Sequence, residues 1–491
     1  MKFTLGWLKQ HLETDATLAE ITDRLSMVGL EVEGVTDRAK GLETFIVGEV
    51  LDAKQHPDAD RLRVCQVSTG DETVELVCGA PNARTGLKGV FAPSGSYVPG
   101  TGITLKPTEI RGVTSNGMLL SEREMGLSDE HDGIVELPAD AEVGARAVDV
   151  MGLADPVIEI AITPNRGDCL GVRGIARDLA ASGLGSLKPL DTSPVAGVFD
   201  SPLGVALEFT DETASACSKF IGRAFRGVKN GPSPKWLRDR LTAVGLRPIS
   251  ALVDITNYIS FEFDRPLHVF DAAKVSGTIT ARLAKSGEKI LALNEVEYDL
   301  DPEMTVIADD RGPQAVAGVV GGLDSGCTEA TTEVFLEVAY FDPVRTAMTG
   351  RKLNLQTDAR YRFERGVDPA FLDDACEIAT RLILELCGGE ASNVVTAGDG
   401  PDWRRTLDFN LDKVLTLGGT EIEGVEARRI LNVLGFAIDS DQGSRLVVSV
   451  PSWRSDIVSE ACLVEEIVRI NGYDRIAPVA VTRPAGTQGP V

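Results

Sequence analysis

The chain has 491 residues, 43% hydrophobic and 25% charged, with 49 Lys and Arg against 74 Asp and Glu for a net charge of −25. At roughly 150 residues per domain, that length makes about three domains and excludes a single small module, while the ordinary globular composition excludes wholesale disorder. The acidic balance excludes capture of a polyanion by total charge, so any nucleic-acid contact requires a local basic patch.

Lys2, Lys9, His11 and Glu13 interrupt the opening segment, which therefore lacks the apolar core of a signal peptide. No run of 18 apolar residues follows, which argues against a membrane span and for a cytoplasmic protein. The eight cysteines (Cys65, Cys78, Cys169, Cys217, Cys327, Cys376, Cys387, Cys462) form no Cys-x-x-Cys pair, so free thiols are predicted.

In chain order, Leu18, Ile21, Leu25 and Val28 recur at helical spacing, with Asp15 as the expected cap and Gly29 as the stop. From Phe45 to Pro138, short Val-rich runs broken by Gly, Pro and Asn predict a small all-β barrel or sandwich. Its polar loops, His56 to Cys65, Gly79 to Asn82 and Ile110 to Met118, are places for ligand contacts or plain connections. A helix over Leu170 to Ala181 has Asp168 as its expected cap. The Ser-, Pro- and Gly-rich stretch Ser186 to Pro202 reads as a linker to a mixed α and β region ending near residue 395. There, Ser233-Pro234 starts one helix, stopped by Gly245, and Asp368-Pro369 starts another, stopped by Gly388-Gly389. A last module after Gly398 to Pro401 holds a helix over Val425 to Leu434, a hairpin at Asp441 to Gly443, and a helix through Leu463, Ile467 and Ile470.

Five constellations carry possible chemistry. His268, within Arg265 to Asp271, is either a satisfied structural residue or a proton carrier. The turn Ala317 to Gly322 lets a ligand approach the backbone or is simply a tight turn. In the apolar run Val334 to Phe341, alternation puts Phe335, Glu337 and Ala339 on one face, which is either a pocket wall or the wet face of an edge strand. Arg345, Arg351, Lys352, Arg360, Arg362 and Arg365 against Asp358 and Glu364 make a local +4, suited to phosphate or to internal salt bridges. Further on, Asp456, Glu460, Glu465 and Glu466 offer oxygen ligands for magnesium or a solvated acidic face.

Several ordered segments, Ile162 to Leu170, Asn257 to Asp271, Phe335 to Pro343, Thr357 to Pro369 and Pro451 to Ile457, together resemble the β subunit of bacterial phenylalanyl-tRNA synthetase. The resemblance implies a multidomain α+β protein in which an OB-fold β-barrel, residues 39–149, is inserted in an N-terminal α/β module, residues 1–38 and 150–195. A mixed α/β editing region (200–395), a winged-helix-like module (400–475) and a tail (476–491) follow. It implies binding of tRNA(Phe) and hydrolysis of tyrosine wrongly attached to it, with ATP-dependent activation on an α partner in an assembly of two α and two β subunits.

The same resemblance places Asn257, His268, Gly321, Glu337, Thr357 and Ala359 around the editing pocket, with Glu337 accepting the tyrosine hydroxyl and His268 and Asn257 positioning water or the ester. It also implies a magnesium cluster at Asp456, Cys462, Glu465 and Glu466. An Asp is usual in the family where Cys462 stands, and a thiol is a poor magnesium ligand, so weak or α-shared binding is expected. Further modules of a complete β subunit would follow Val491, so this chain by itself is not expected to aminoacylate. The competing reading is a tRNA-binding or assembly protein without hydrolysis.

Overall fold

Local capping chemistry sets the second helix, after Leu5–His11. In the computed structural model, which describes residues 1–478, Leu18–Met27 begins after Thr17 rather than Asp15. The Thr17 hydroxyl accepts from the Glu20 amide, and the Glu20 carboxylate accepts from the Thr17 amide at 2.8 Å. This reciprocal pair satisfies two amides that an isolated Asp15 would leave free. The other expected cap, Asp168, lies inside the short turn Gly167–Leu170, and the helix Val172–Ala181 starts only after Gly171. The predicted tail lies outside the described residues from 479 onward.

The chain divides into two units: Gly34–Ile158 with Thr4–Gly6, and Met1–Phe3 with Trp7–Glu33 and everything from Glu159 onward. In the first unit, the antiparallel strands Met118–Leu119, Lys88–Ala92, Ile46–His56, Ala59–Ser68 and Thr73–Cys78 lie side by side in that order. Val50, Cys65, Val67, Leu76 and Phe91 fill one core. The predicted barrel does not close: among the described residues no ladder joins Thr73–Cys78 to the two-residue strand Met118–Leu119.

The second unit is mixed α and β. One five-stranded antiparallel sheet has Glu333–Phe341 flanked by His268–Asp271 and Cys217–Arg226, which continues to Glu390–Ala391 and Val395–Ala397. A second runs Val205–Glu208, Ile279–Leu283, Thr305–Asp309, Gly312–Val316 and Val320–Gly321. Alternation along Glu333–Phe341 turns Phe335, Ala339 and Phe341 into a core shared with Phe270, Ile307, Ala315 and Phe363. The opposite face lies against the helix Leu372–Cys387, whose Leu372, Ala375, Ala379 and Ile383 are buried.

The last module pairs Thr406–Asn410, Arg445–Ser449 and Ala437–Gln442 as an antiparallel sheet with the helices Gly424–Val433 and Glu460–Asn471. All eight cysteines are free thiols. No helix among the described residues is long and apolar enough to cross a membrane.

Candidate functional site

Glu337 stands in the middle of an internal strand, not on an edge, and is 6% exposed. Antiparallel register sets it directly across from His268 on the neighbouring strand, so the two side chains share one sheet face. Between them and the second sheet lies a cavity of about 100 Å³ lined by His268, Glu337, the turn Ala317 to Gly321, and Ala359 with Phe363. Ala359 and Phe363 are four residues apart on the short helix Asp358–Phe363 and so present one face.

Thr357 fastens this wall. Its hydroxyl caps the helix by accepting from the Arg360 amide at 3.1 Å and donates to the Val319 carbonyl at 2.8 Å. Gly321 has a steric requirement: a Cβ there would fall 2.4 Å from His268 Cε1, so only glycine lets the turn approach the imidazole.

Two side-chain polar atoms of the cavity have no partner within the protein. His268 Nε2 and Glu337 Oε2 are buried and make no hydrogen bond. Burial pushes the Glu337 carboxyl up to about 8 and the His268 imidazolium down to about 4, so both are neutral near pH 7. A neutral carboxyl donates through O–H and accepts through its carbonyl, whereas a carboxylate only accepts. Together they offer an apolar-walled void with one unpaired carboxyl and one unpaired imidazole.

A consequence for stability follows. Glu337 has a folded value above its ordinary 4.5, so its contribution is complete below that pH and is lost as pH rises toward about 8. His268 has the opposite slope, confined to the acid side of 6.5. Between about pH 6.5 and 8 the wild-type chain should therefore lose up to roughly 1.4 kcal/mol of stability per pH unit from Glu337. Urea titrations at several pH values should show that Glu337→Gln removes this slope; an identical slope in both proteins would contradict it.

The remaining expected residues divide. His268, Gly321, Glu337 and Ala359 line one cavity, with Thr357 immediately behind it. Asn257, on the helix Ala251–Phe263, is not among the lining residues. Phe341 and Phe363 were missed as walls, although each stands four residues beyond a residue that was named, Glu337 in its strand and Ala359 in its helix.

The basic segment does not form one phosphate-facing patch. Arg362 is 2% exposed and donates to the carbonyls of Ser260 (2.9 Å) and Leu170 (3.2 Å), with its guanidinium 4.1 Å from the Phe261 ring centroid. Arg360 is likewise buried, bonded to Glu364 and the Leu355 carbonyl. Arg345 bonds the Glu303 carbonyl, Lys352 pairs with Asp301 and Glu303, and Arg365 lies over Tyr361. Only Arg351 and Lys352 are exposed. Arg362→Ala should accordingly destabilise the chain by about 2–3 kcal/mol through lost charge-assisted bonds. The salt dependence of RNA binding should stay unchanged; a shallower slope with intact stability would return Arg362 to the surface.

The four residues expected to hold magnesium do not fit the ion. Arg454 donates two hydrogen bonds to Asp456, both at 2.8 Å, and two to Glu466, while Arg469 also holds Glu466. Their oxygens are thus occupied by guanidinium groups, Cys462 contacts Ser459, and Glu465 is exposed. The carboxylates Asp168 and Asp178, beside Cys169, are also bridged by Arg166.

In the first unit, the loops singled out from sequence do come together. His56 Nε2 lies 3.2 Å from the Ile110 carbonyl, and Arg111 donates to the Asp58 carbonyl at 2.8 Å. Asn82 bonds both the amide and carbonyl of Ile134. A cleft of about 450 Å³ adjoins them, lined in part by Gly79, Pro81, Arg123 and His131.

Comparison with known proteins places these regions. Residues 45–146 match the putative tRNA binding domain, residues 216–388 the B3/4 domain, and residues 407–473 the tRNA synthetase B5 domain. The phenylalanine--tRNA ligase beta subunit of Paramagnetospirillum magneticum is 58% identical over 485 residues, covering 99% of this chain and 60% of the relative. That of Rhodospirillum rubrum is 53% identical, covering 98% and 60%. The chain thus spans about three-fifths of the length of these relatives. An N-terminal fragment of the phenylalanyl-tRNA synthetase beta-subunit from Pyrococcus horikoshii aligns with 65% of this chain and 88% of its own at 16% identity and a TM-score of 0.36.

Proposed function

The chain belongs to the phenylalanine--tRNA ligase beta-subunit family, and from that premise we propose that it binds tRNA(Phe) and hydrolyses tyrosine wrongly esterified to it. The observation that carries this reading is the apolar-walled cavity with two unpaired polar groups, His268 and Glu337. A synthetic pocket for phenylalanine cannot strongly reject an isostere that adds a hydroxyl, so a second pocket built to hydrogen-bond that hydroxyl supplies the missing discrimination. Glu337 reads the tyrosine hydroxyl, and neutral His268 orients the ester or a water, with no covalent nucleophile.

The protein acts in the cytoplasm beside an α subunit that activates phenylalanine with ATP. The finer architecture goes with this reading: the five-stranded sheet of the first unit serves as an OB-like tRNA platform, and the module 400–475 as a winged-helix-like fold. Residues 1–38 with 150–195 form the N-terminal module, and 200–395 the editing domain. Any magnesium serves the activating partner, because Asp456 and Glu466 are engaged by arginines.

The test is incubation of the chain with Tyr-tRNA(Phe) and Phe-tRNA(Phe). Release of tyrosine alone supports the proposal. Binding of both without release favours a non-catalytic tRNA-binding or assembly role.

A further inference from the structure

The His268–Glu337 cavity, about 100 Å³ in volume, has room for an amino-acid side chain but not for a nucleoside that carries it. Its rim reaches the surface at Leu267, His268, Val320 and Ala359, which are all part-exposed. Beside that rim, Leu291-Ala292-Leu293 of the hairpin formed by Lys289–Leu291 and Glu297–Asp299 runs antiparallel to Gly321-Gly322-Leu323. The Leu293 amide donates to the Gly321 carbonyl at 3.0 Å, and the Leu323 amide to the Leu291 carbonyl at 2.8 Å. This register sets Leu291 opposite Leu323 and Leu293 opposite Gly321.

Opposed residues in such a ladder share a face, so Leu291, Leu293 and Leu323 point to the side on which Gly321 would carry a Cβ. His268 stands on that side: the Cβ position at Gly321 is 2.4 Å from His268 Cε1 and 3.0 Å from Leu293 Cδ1. Ala292 is buried on the other face. Three leucines at 38–48% exposure thus form one apolar shelf continuous with the imidazole. Single exposed leucines are ordinary, but three adjoining ones beside a cavity mouth mark a contact surface. The hairpin offers it no free cation, because Lys289 pairs with Glu297 and Asp299, while Glu295 and Asp324 lie close to the leucines in sequence. Such a shelf suits a flat, uncharged ring and not a phosphate.

We propose that the shelf holds the adenine of the tRNA's terminal nucleoside, an inference that rests on the editing reading's placement of tyrosine in the cavity. A tyrosyl group there is esterified to the terminal ribose, which leaves the base a ribose's width outside the mouth. Amino acids are carried on the terminal adenosine of tRNA, and apolar side chains hold the face of such an unstacked base by excluding water from both surfaces. His268 then lies at the junction, beside an ester held from both ends.

Calorimetry of the full chain with the L-tyrosyl amide of 3′-amino-3′-deoxyadenosine, which resists hydrolysis, and with L-tyrosinamide tests the shelf apart from catalysis. The adenosine amide should bind at least about tenfold tighter than tyrosinamide. Leu293→Ser and Leu323→Ser, at exposed positions, should remove most of that advantage while leaving tyrosinamide binding and the melting curve near wild type. Leu293→Met should retain it, and Leu417→Ser, at an exposed leucine of the last module, should change nothing. No binding of the adenosine amide at about 1 mM, equal binding of the two amides, or an advantage that both serine variants leave intact would overturn the proposal. Sedimentation showing wild-type dimers that these substitutions dissolve would also overturn it, giving the shelf to a second copy. Shelf-dependent binding without release of tyrosine from Tyr-tRNA(Phe) would instead sustain the shelf and defeat hydrolysis.

Discussion

Arg469→Ala is expected to lower the unfolding free energy by about 3–5 kcal/mol, the range for removing one partner from a buried ion cluster. Arg469 lies on Glu460–Asn471 in the last module, yet its guanidinium donates to Asp178 at 2.8 and 3.2 Å, to Glu466 at 2.6 and 2.8 Å, and to the Val28 carbonyl. It therefore ties three segments that are distant in sequence. Asp178 would keep Arg166 and Glu466 would keep Arg454, but the cluster would hold an excess negative charge in a low-dielectric interior. Arg469→Lys keeps the charge without the fork and should fall between wild type and Ala.

The same cluster sets an acid limit. Burial alone would push the Glu466 carboxyl up, but Arg469 and then Arg454 outweigh it and hold the carboxyl well below its ordinary 4.5. A depressed acid contributes stability that is complete above its unfolded value and lost as pH falls below it. Urea unfolding, with hydrogen exchange of the helix Glu460–Asn471, measures both effects. A loss under about 1 kcal/mol with unchanged exchange would show that this network does not secure the module.

Much of the layout was legible because turns and periodicity are local. Gly245, Gly388 and Gly443 end or turn their elements near where the sequence puts them, and Leu463, Ile467 and Ile470 do face a core. Alternation placed Glu337 with Phe335 and Ala339, but only the strand partners on both sides show that the shared face is interior. The basic and acidic runs misled for one physical reason. Charge along the chain does not reveal which groups pair across it, and Arg362 finds Leu170 while Arg469 finds Asp178. The caps failed on a smaller scale, since Thr17 with Glu20 outcompetes Asp15.

Under the proposed editing reaction, Glu337→Ala should lower the preference for tyrosyl over phenylalanyl ester by about 1–3 kcal/mol, roughly 5- to 150-fold. The para hydroxyl is the only difference between the two esters, and Glu337 is the one carboxyl among the described residues that line the cavity. Because that carboxyl is neutral near pH 7, it accepts the phenol proton through its carbonyl or donates to the phenol oxygen, and Ala does neither. Glu337→Gln preserves an acceptor and a donor of similar shape, so it should retain more of the preference than Ala. His268→Ala removes a ring that touches the turn at Gly321 and stacks edge-on to Phe270 at 4.5 Å, so it should slow release of both amino acids while leaving their ratio near wild type. Deacylation rates of both esters, measured for each variant at one salt concentration, separate these outcomes. If Glu337→Ala keeps full tyrosine selectivity while His268→Ala loses it, the imidazole reads the hydroxyl and the two roles must be exchanged.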